Sequence, residues 1–509
     1  MSSLKEQLVK IYAKYVVWKT AKWSSSPVET QERVFKKLIQ KSRKTRFGQE
    51  HSFEKIHNFR DFSKHVPIRD YEGLKNYIEL IIQGEKNVLW PGRPIYFAKT
   101  SGTTSGEKHI PITKESMPNH VKGSVDATMH YINETSNTKF LNKKIIFLQG
   151  SPLLDDKNGI KTGRLSGIVA HYTPSFLRKN TMPSWETNCI ENWEKKVLEI
   201  SKETLKEDMA AIGGIPPWVI MYFEKLIELS GKKTIQQVFP NFNLFVYGGV
   251  NFNPYKESFR RLIGKKIDSI EYYPASEGFF AFQDSQSNEG LLLQLNSGIF
   301  YEFIRIEEME KADPERLTIK EVKTKTNYVL IVSTNAGLWG YNTGDTLEFV
   351  SIKPARIIVT GRYKHFISAF GEHVIGSEVE KALNKALISE EISLKEFTVA
   401  PKVNPKKGLP YHQWWIEFNQ GISKEKIRRL EQKLDYNLQN LNSYYKDLVQ
   451  GKVLKPLEIV VVKKNGFKGF MESVGKLGGQ NKLPRLSNDR KIVDRLKNYK
   501  AALKKNLWI

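Results

Sequence analysis

Tyr96-Phe97-Ala98-Lys99-Thr100-Ser101-Gly102-Thr103-Thr104-Ser105-Gly106-Glu107-Lys108 carries the chain from an apolar extended approach into a run of hydroxyls and glycines that closes on a lysine. Its composition suits phosphate. The glycines let backbone approach an anion, Thr100, Ser101, Thr103, Thr104 and Ser105 offer hydroxyl donors, and Lys108 brings a mobile positive charge. The G-x-x-x-x-G-K-[ST] spacing is absent, so an ordinary P-loop fold is not expected. A solvated surface loop would have the same composition, and the meaning of this stretch depends on what the rest of the chain offers.

The chain has 509 residues, 40% of them hydrophobic and 11% aromatic. That is enough apolar material for roughly two to four folded units. No apolar run approaches the roughly 20 residues that span a bilayer, and Lys5, Glu6, Lys10 and Lys14 stand where a signal peptide needs an apolar centre. A cytoplasmic protein with no membrane span, acting as a monomer, is expected. The single cysteine, Cys189, excludes an internal disulfide and any cysteine-rich metal site. The net charge of +25 is steepest over residues 451–509, which hold 15 Lys/Arg against 4 Asp/Glu. Zinc-finger spacing, RNP-type aromatics and an arginine-rich tail are all missing there, so no obligatory nucleic acid is expected. A basic nucleic-acid or membrane-surface binding protein stays open as a reading of another class.

Residues 1–90 read mainly as helices, with Leu4, Leu8, Ile11, Tyr12 and Tyr15 near a helical period. Strands are expected at 144–149, 243–247 and 267–273, and helices at 193–209, 217–230 and 253–263. This alternation predicts an α/β fold whose sheet is wound by parallel crossovers. A β-rich subdomain follows at about 290–360. With a boundary near 361–364, the expected organisation is an N-terminal domain over 1–361 and a small, mobile α+β lid over 362–509.

Two further clusters bear chemistry. Glu271-Tyr-Tyr273-Pro-Ala-Ser276-Glu277-Gly278 places an aromatic, a hydroxyl and a carboxylate at a strand's carboxyl end, where α/β sheets bind ligands. Near phosphates, Glu277 would hold Mg²⁺. In Ala336-Gly-Leu-Trp-Gly340-Tyr341-Asn342-Thr343-Gly344-Asp345, glycines expose backbone and Asp345 can accept from two adjacent hydroxyls. Taken singly, both also read as ordinary turns.

The order of the three clusters, with Gly361-Arg362-Tyr363-Lys364 after them, resembles the adenylate-forming superfamily of acyl-CoA synthetases, adenylation domains and luciferases. Within it, Thr100–Lys108, Tyr273-Pro-Ala-Ser-Glu277, Thr334-Asn-Ala-Gly-Leu338 with Tyr341–Asp345, and Lys482-Leu-Pro-Arg485 resemble the Gretchen Hagen family of acyl-acid amido synthetases and its bacterial members. Asn342, Thr343 and Gly340 depart from the residues usual in plant members, so contacts beside the nucleotide are expected to differ.

The resemblance implies an ATP- and Mg²⁺-dependent ligase. A carboxylic acid is activated as an acyl-adenylate and passed to an amino acid amine; an acyl-CoA synthetase sharing the first step is the alternative. It further implies that Thr100, Ser101, Gly102, Thr103, Thr104, Ser105 and Lys108 cradle the phosphates, Ser276 donates to the α-phosphate and Glu277 holds the metal. Tyr273 would pack on adenine with Gly248 and Gly249 opposite, Asp345 would take the ribose hydroxyls, and Arg362 would contact ribose or phosphate. Lys482 is the implied adenylation lysine and Lys364 the hinge. Gly213-Gly-Ile-Pro-Pro-Trp218-Val-Ile-Met221-Tyr222 resembles a family helix start, with Trp218, Met221 and Tyr222 as acyl-pocket candidates or plain core.

Overall fold

A computed structural model describes residues 4–101, 107–172, 179–249, 252, 255–363, 366–367, 372, 374–405, 408–450, 453–477, 483–487, 489–504 and 507–508. Two compact units form. The first comprises Met1–Ile215, Gln236–Gly249 and Ile267–Val359; the second comprises Pro216–Ile235, Val250–Lys266 and Thr360–Ile509.

The first unit opens with the expected helices, among them Leu4–Ser24, Pro27–Ser42 and Tyr71–Gln83. The third is capped at both ends: Asp70 accepts from the Gly73 amide at its start, and Gly84 closes it in the left-handed conformation. A small sheet then forms from β1 (Tyr96–Ser101), β2 (Glu107–Ile112), β4 (Asp155–Lys157) and β5 (Ile160–Gly163), in the order β2-β1-β5-β4. The main sheet has eleven strands, ordered β12-β13-β14-β15-β11-β10-β9-β8-β7-β3-β6. Its strands are β3 (Lys144–Phe147), β6 (Thr181–Met182), β7 (Met209–Gly214), β8 (Leu244–Gly248), β9 (Asp268–Ala275), β10 (Gly278–Phe282), β11 (Leu291–Leu293), β12 (Ile299–Arg305), β13 (Asn327–Thr334), β14 (Tyr341–Ile352) and β15 (Ala355–Arg362).

From β6 to β9 the pairing is parallel. The buried run Met-Ala-Ala-Ile-Gly-Gly of β7 has the unbroken apolar character of a strand covered on both faces. At β9 the sheet changes sense: β10 returns antiparallel and β11 pairs with it, then β15 lies beside β11 and the antiparallel run β14, β13, β12 extends to the edge. The β-rich stretch of the sequence is therefore a continuation of the main sheet, added by edge pairing to β10 and not stacked on it.

The second unit holds a sheet of β18 (Leu394–Lys402), β19 (Tyr411–Phe418) and β21 (Glu458–Val462), in that order. The short pairs β16 (Phe366–Ile367) with β17 (Val374–Ile375), and β20 (Ile422–Ser423) with β23 (Leu507–Trp508) and β22 (Leu503–Lys504), complete it. Helices Gly376–Ser389 and Lys424–Leu441 bring Leu383, Leu430 and Leu434 into a core with Phe397, Trp414 and Ile416. Helices Pro216–Ser230 and Lys256–Ile263, read from sequence as part of the N-terminal domain, fall in this unit. Their polar side chains show why: the Ser258 hydroxyl donates to the Leu394 carbonyl at 3.4 Å and accepts from Asn419 at 2.9 Å, and Lys395 pairs with Glu224 at 3.6 Å.

Candidate active site

In the first unit the parallel strands β7 and β8 end in glycines. Gly248 closes β8 in register with Tyr272 of β9. A Cβ on Gly248 would stand 2.5 Å from the Tyr272 carbonyl oxygen and 3.3 Å from Pro274 Cδ, so no side chain fits at this strand end. Gly249 follows with φ +81°. Burial pushes the Tyr272 phenol up to about 12, and it donates to the Ser124 carbonyl at 3.2 Å, fixing the edge against which Gly248 lies. In α/β sheets, ligands bind at this carboxyl end of the parallel strands.

Beyond Ala275, Ser276 and Glu277 make the two-residue turn into β10, where Gly278 pairs with Ala275. Both side chains are half-buried. The hairpin thus delivers a hydroxyl and a carboxylate at the same end of the sheet as Gly248.

Asp345 reaches this place through a bulge. Val329 of β13 pairs with Thr346 and Ile331 with Asn342, so Thr343, Gly344 and Asp345 of β14 oppose the one residue Leu330. The Thr343 hydroxyl donates to the Leu330 carbonyl at 2.9 Å, Gly344 takes φ +76°, and Asn342 Oδ1 and Thr343 Oγ1 accept from the Gly344 and Asp345 amides. The extra residues re-aim Asp345, as bulges beside ligand sites commonly do. The Tyr273 hydroxyl donates to Asp345 Oδ2 at 2.7 Å. Two clusters separated by about 70 residues in sequence are joined by this bond. Tyr273 is itself buried, with its ring edge-on to Phe280 at 5.1 Å. The hydrogen bond to Asp345 is a contact of Tyr273 that the sequence did not indicate.

The strands on either side of the hydroxyl-rich stretch, β1 and β2, pair antiparallel in the small sheet. Thr100 lies opposite Lys108 and Ser101 opposite Glu107. The Lys108 ammonium lies 5.6 Å over the Tyr71 ring, whose hydroxyl accepts from the His109 amide at 2.9 Å. Gly102, Thr103, Thr104 and Ser105 lie outside the described residues, as do Lys364 and Lys482. Among the described residues no group of three or more His, Cys, Asp and Glu side chains is assembled to hold a metal. With Asp345 engaged by Tyr273, the turn adds one further carboxylate, Glu277, next to the Ser276 hydroxyl. That suits a cation whose remaining oxygens come from a nucleotide.

In the second unit, Arg362 ends β15 with its side chain exposed. The segment leading out of Lys482 is firmly held: the Val399 amide donates to the Arg485 carbonyl and the Ser487 amide to the Val399 carbonyl, each at 2.9 Å, while Thr398 Oγ1 donates to the Pro484 carbonyl at 2.7 Å. Arg485 is the anchor. Its guanidinium binds Glu396 and the Tyr255 hydroxyl, lies 3.7 Å from Glu380, and stacks over Phe397 at 4.8 Å. Burial opposes its charge, yet Glu396, Tyr255 and Glu380 together raise its pKa above the usual arginine range. Sequence reading took Arg485 as part of a motif and gave it no task. Its partners lie 89 to 230 positions away, beyond any local signal. On helix Pro216–Ser230, Trp218 and Tyr222 are buried and Met221 is half-buried; Phe223 beside Tyr222 meets Phe259 edge-on at 5.6 Å. Tyr222 belongs to that core.

The sequence matches the GH3 family N-terminal domain over residues 19–190, the GH3 family central domain over 292–362 and the GH3 family C-terminal domain over 377–491. It is 22% identical to the jasmonoyl–L-amino acid synthetase JAR4 of Nicotiana attenuata, covering 89% of this chain and 90% of that one. To the indole-3-acetic acid-amido synthetase GH3.3 of Arabidopsis thaliana it is 21% identical, over 92% and 90% of the two chains. Among solved structures, AtGH3.15 acyl acid amido synthetase in complex with 2,4-DB superposes with a TM-score of 0.78 at 16% identity, covering 96% of each chain. A 2-hydroxyisobutyryl-CoA ligase in the postadenylation state gives 0.61 at 12% identity, over 92% and 90%.

Proposed function

The chain belongs to the GH3 family, and from that premise we propose that it is an ATP-dependent acid–amino acid ligase. The observation that carries the proposal in this chain is the Tyr273–Asp345 hydrogen bond at the end of the sheet, beside a strand terminus that admits no side chain. It sets a carboxylate suited to a ribose diol beside a strand end suited to a base, with Ser276 and Glu277 on the adjoining turn.

Two displacements make up the reaction. An oxygen of the acid's carboxylate attacks the α-phosphorus of ATP, and the bond to pyrophosphate breaks. The amine nitrogen of the amino acid then attacks the acyl carbon of the adenylate, AMP leaves with the bonding pair, and the amine's surplus proton passes to solvent. Because the first step brings two anions together, alignment and charge neutralisation do the work and no covalent nucleophile is required. Asp345, steadied by Tyr273, would bind the ribose hydroxyls. Gly248 and Gly249 would leave room for adenine. Ser276 would donate to the α-phosphate, and Arg362 to ribose or phosphate. Thr100, Ser101 and Lys108, with residues 102–105, would hold the outer phosphates. Glu277 is the proposed Mg²⁺ ligand; the ion, when bound, screens the phosphate charge against the incoming carboxylate. Lys482 would supply the positive charge for adenylation, Lys364 would serve as a hinge for the C-terminal domain, and Trp218 and Met221, backed by Tyr222, would face the acid.

Acid-dependent exchange of labelled pyrophosphate into ATP tests the first step, and mass spectrometry of amide products tests the second. Expected is exchange with an apolar or aryl acid, amide formation with an amino acid, and no thioester with coenzyme A. Lys482→Ala should lower exchange at least about 100-fold while MgATP still raises the melting temperature. Unchanged exchange in that variant excludes Lys482, and thioester without amide excludes the amino acid acceptor.

A further inference from the structure

Helix Leu4–Ser24 is apolar on two opposite faces. One is spent inside the fold: Ala13, Val16, Thr20 and Trp23 are buried, and the helix packs on helix Met117–Thr135. The other carries Leu4, Leu8, Ile11, Tyr12, Tyr15 and Trp18, all exposed, Leu4 by 73% and Ile11 by 65%. Their spacing of three and four residues sets them in one continuous stripe along the helix. Six large apolar side chains in line are far more than the scattered exposure ordinary on a protein surface. The stripe is also ordered, with Tyr12 and Tyr15 rings 6.3 Å apart and Tyr15 and Trp18 rings 6.0 Å apart.

Charge identifies what would cover it. The helix carries five lysines, Lys5, Lys10, Lys14, Lys19 and Lys22, and one acid, Glu6. Glu6 is turned to the body of the protein, where it accepts from Asn142 at 3.0 Å. Lys14, Lys19 and Lys22 are exposed along and beside the stripe, and the Lys22 ammonium lies 3.4 Å over the Trp18 ring. A second copy of the chain docked through this face across a two-fold axis would bring these lysines against their own equivalents. Nucleic acid could use the aromatics and lysines but has no use for Leu4, Leu8 and Ile11. A lipid surface uses all of them: aliphatic groups enter the acyl boundary, tyrosine and tryptophan lie at headgroup level, and lysines meet anionic headgroups. We propose that this helix face docks the enzyme on anionic membrane surfaces, lying in the interface without crossing it. Among the described residues no helix is long and apolar enough to span a bilayer.

Flotation of the full chain with vesicles tests this. Vesicles of phosphatidylcholine with about 30% phosphatidylglycerol should carry the protein, and pure phosphatidylcholine should bind it at least about tenfold more weakly, since each lysine near an anionic surface contributes on the order of 1 kcal/mol. The double variant Leu8→Glu/Ile11→Glu should stay unbound, as should Lys14→Glu/Lys19→Glu, while Lys14→Arg/Lys19→Arg should float like the parent. All three variants should keep the parent's melting temperature and acid-dependent exchange, because the substituted side chains are exposed. Absence of flotation, or flotation unchanged in Leu8→Glu/Ile11→Glu, overturns the proposal. So does a dimer in light scattering that this variant dissociates, or a single-stranded RNA complex that it loses.

Discussion

Tyr273 and Asp345 show how one hydrogen bond ties distant parts of a sequence into a site. Each alone reads as a strand or turn residue, and their 2.7 Å contact gives them a joint role. If Asp345 takes the ribose hydroxyls, removing the Tyr273 donor leaves a carboxylate that can rotate away from them. Tyr273→Phe should then raise the KM for ATP about tenfold or more, corresponding to about 1.5 kcal/mol for one hydrogen bond to a charged group, with little change in melting temperature. Asp345→Ala should cost more, in KM and kcat alike. A Tyr273→Phe enzyme with parental KM would reduce the contact to a packing detail. Gly248 belongs to the same scale. Its position at a strand end was legible, but the reason for it was not, because only the register beside Tyr272 places a carbonyl 2.5 Å from where a Cβ would be.

Strands and helices were legible wherever apolar runs or periodicity were long. Helix Pro216–Ser230 and the strands β8 and β9 fall within a few residues of the expected spans, whereas the helix expected over 193–209 ends at Thr204 and Met209 opens β7, a strand not expected from the sequence. The bulge at Thr343-Gly344-Asp345 was not legible, since alternation along β14 gives no sign that three residues oppose one on β13. Helix Met117–Thr135 makes a related point about burial. His120 sits on its inner side with no partner for Nδ1 among the described residues, and burial lowers its pKa to about 4. Depressed below the ordinary value near 6.5, it binds its proton in the unfolded chain before it does in the folded one. Stability is therefore fully present above about pH 6.5 and falls as the pH drops toward 4. Between pH 7.5 and 5 this one side chain should remove about 2 kcal/mol, read by urea unfolding at the two pH values. His120→Leu should flatten that part of the profile. An equal loss in the variant would assign the acid sensitivity to other groups.

At the scale of the molecule, the chain order of the motifs and the continuous α/β alternation made the fold class readable, while the division into units was only partly so. A boundary close to Thr360 follows from a shift in pattern. The membership of 216–235 and 250–266 in the second unit does not, because it rests on side chains such as Tyr255 and Ser258 whose partners lie far along the chain. Arg485 is where that unit is most exposed to a single change. Its side chain is 13% accessible, and it neutralises Glu396 and Glu380, themselves 16% and 12% accessible. Arg485→Ala would leave two carboxylates and the Tyr255 hydroxyl in a site closed to water, a loss on the order of 3–5 kcal/mol for a broken buried pair. Calorimetry should show the transition of the second unit lowered by several degrees, with the transition of the first unit in place. Because Arg485 also holds the segment that follows Lys482, exchange of pyrophosphate should fall at temperatures where the variant is still folded, while the affinity for MgATP, assigned to first-unit residues and to Arg362, none of which Arg485 contacts, should hold. Arg485→Lys keeps the charge but loses the fork that reaches Glu396 and Tyr255 together, and it should recover stability without recovering exchange. Full recovery of both would mean that charge alone suffices at this position and that the planar guanidinium plays no part in orienting the segment that follows Lys482.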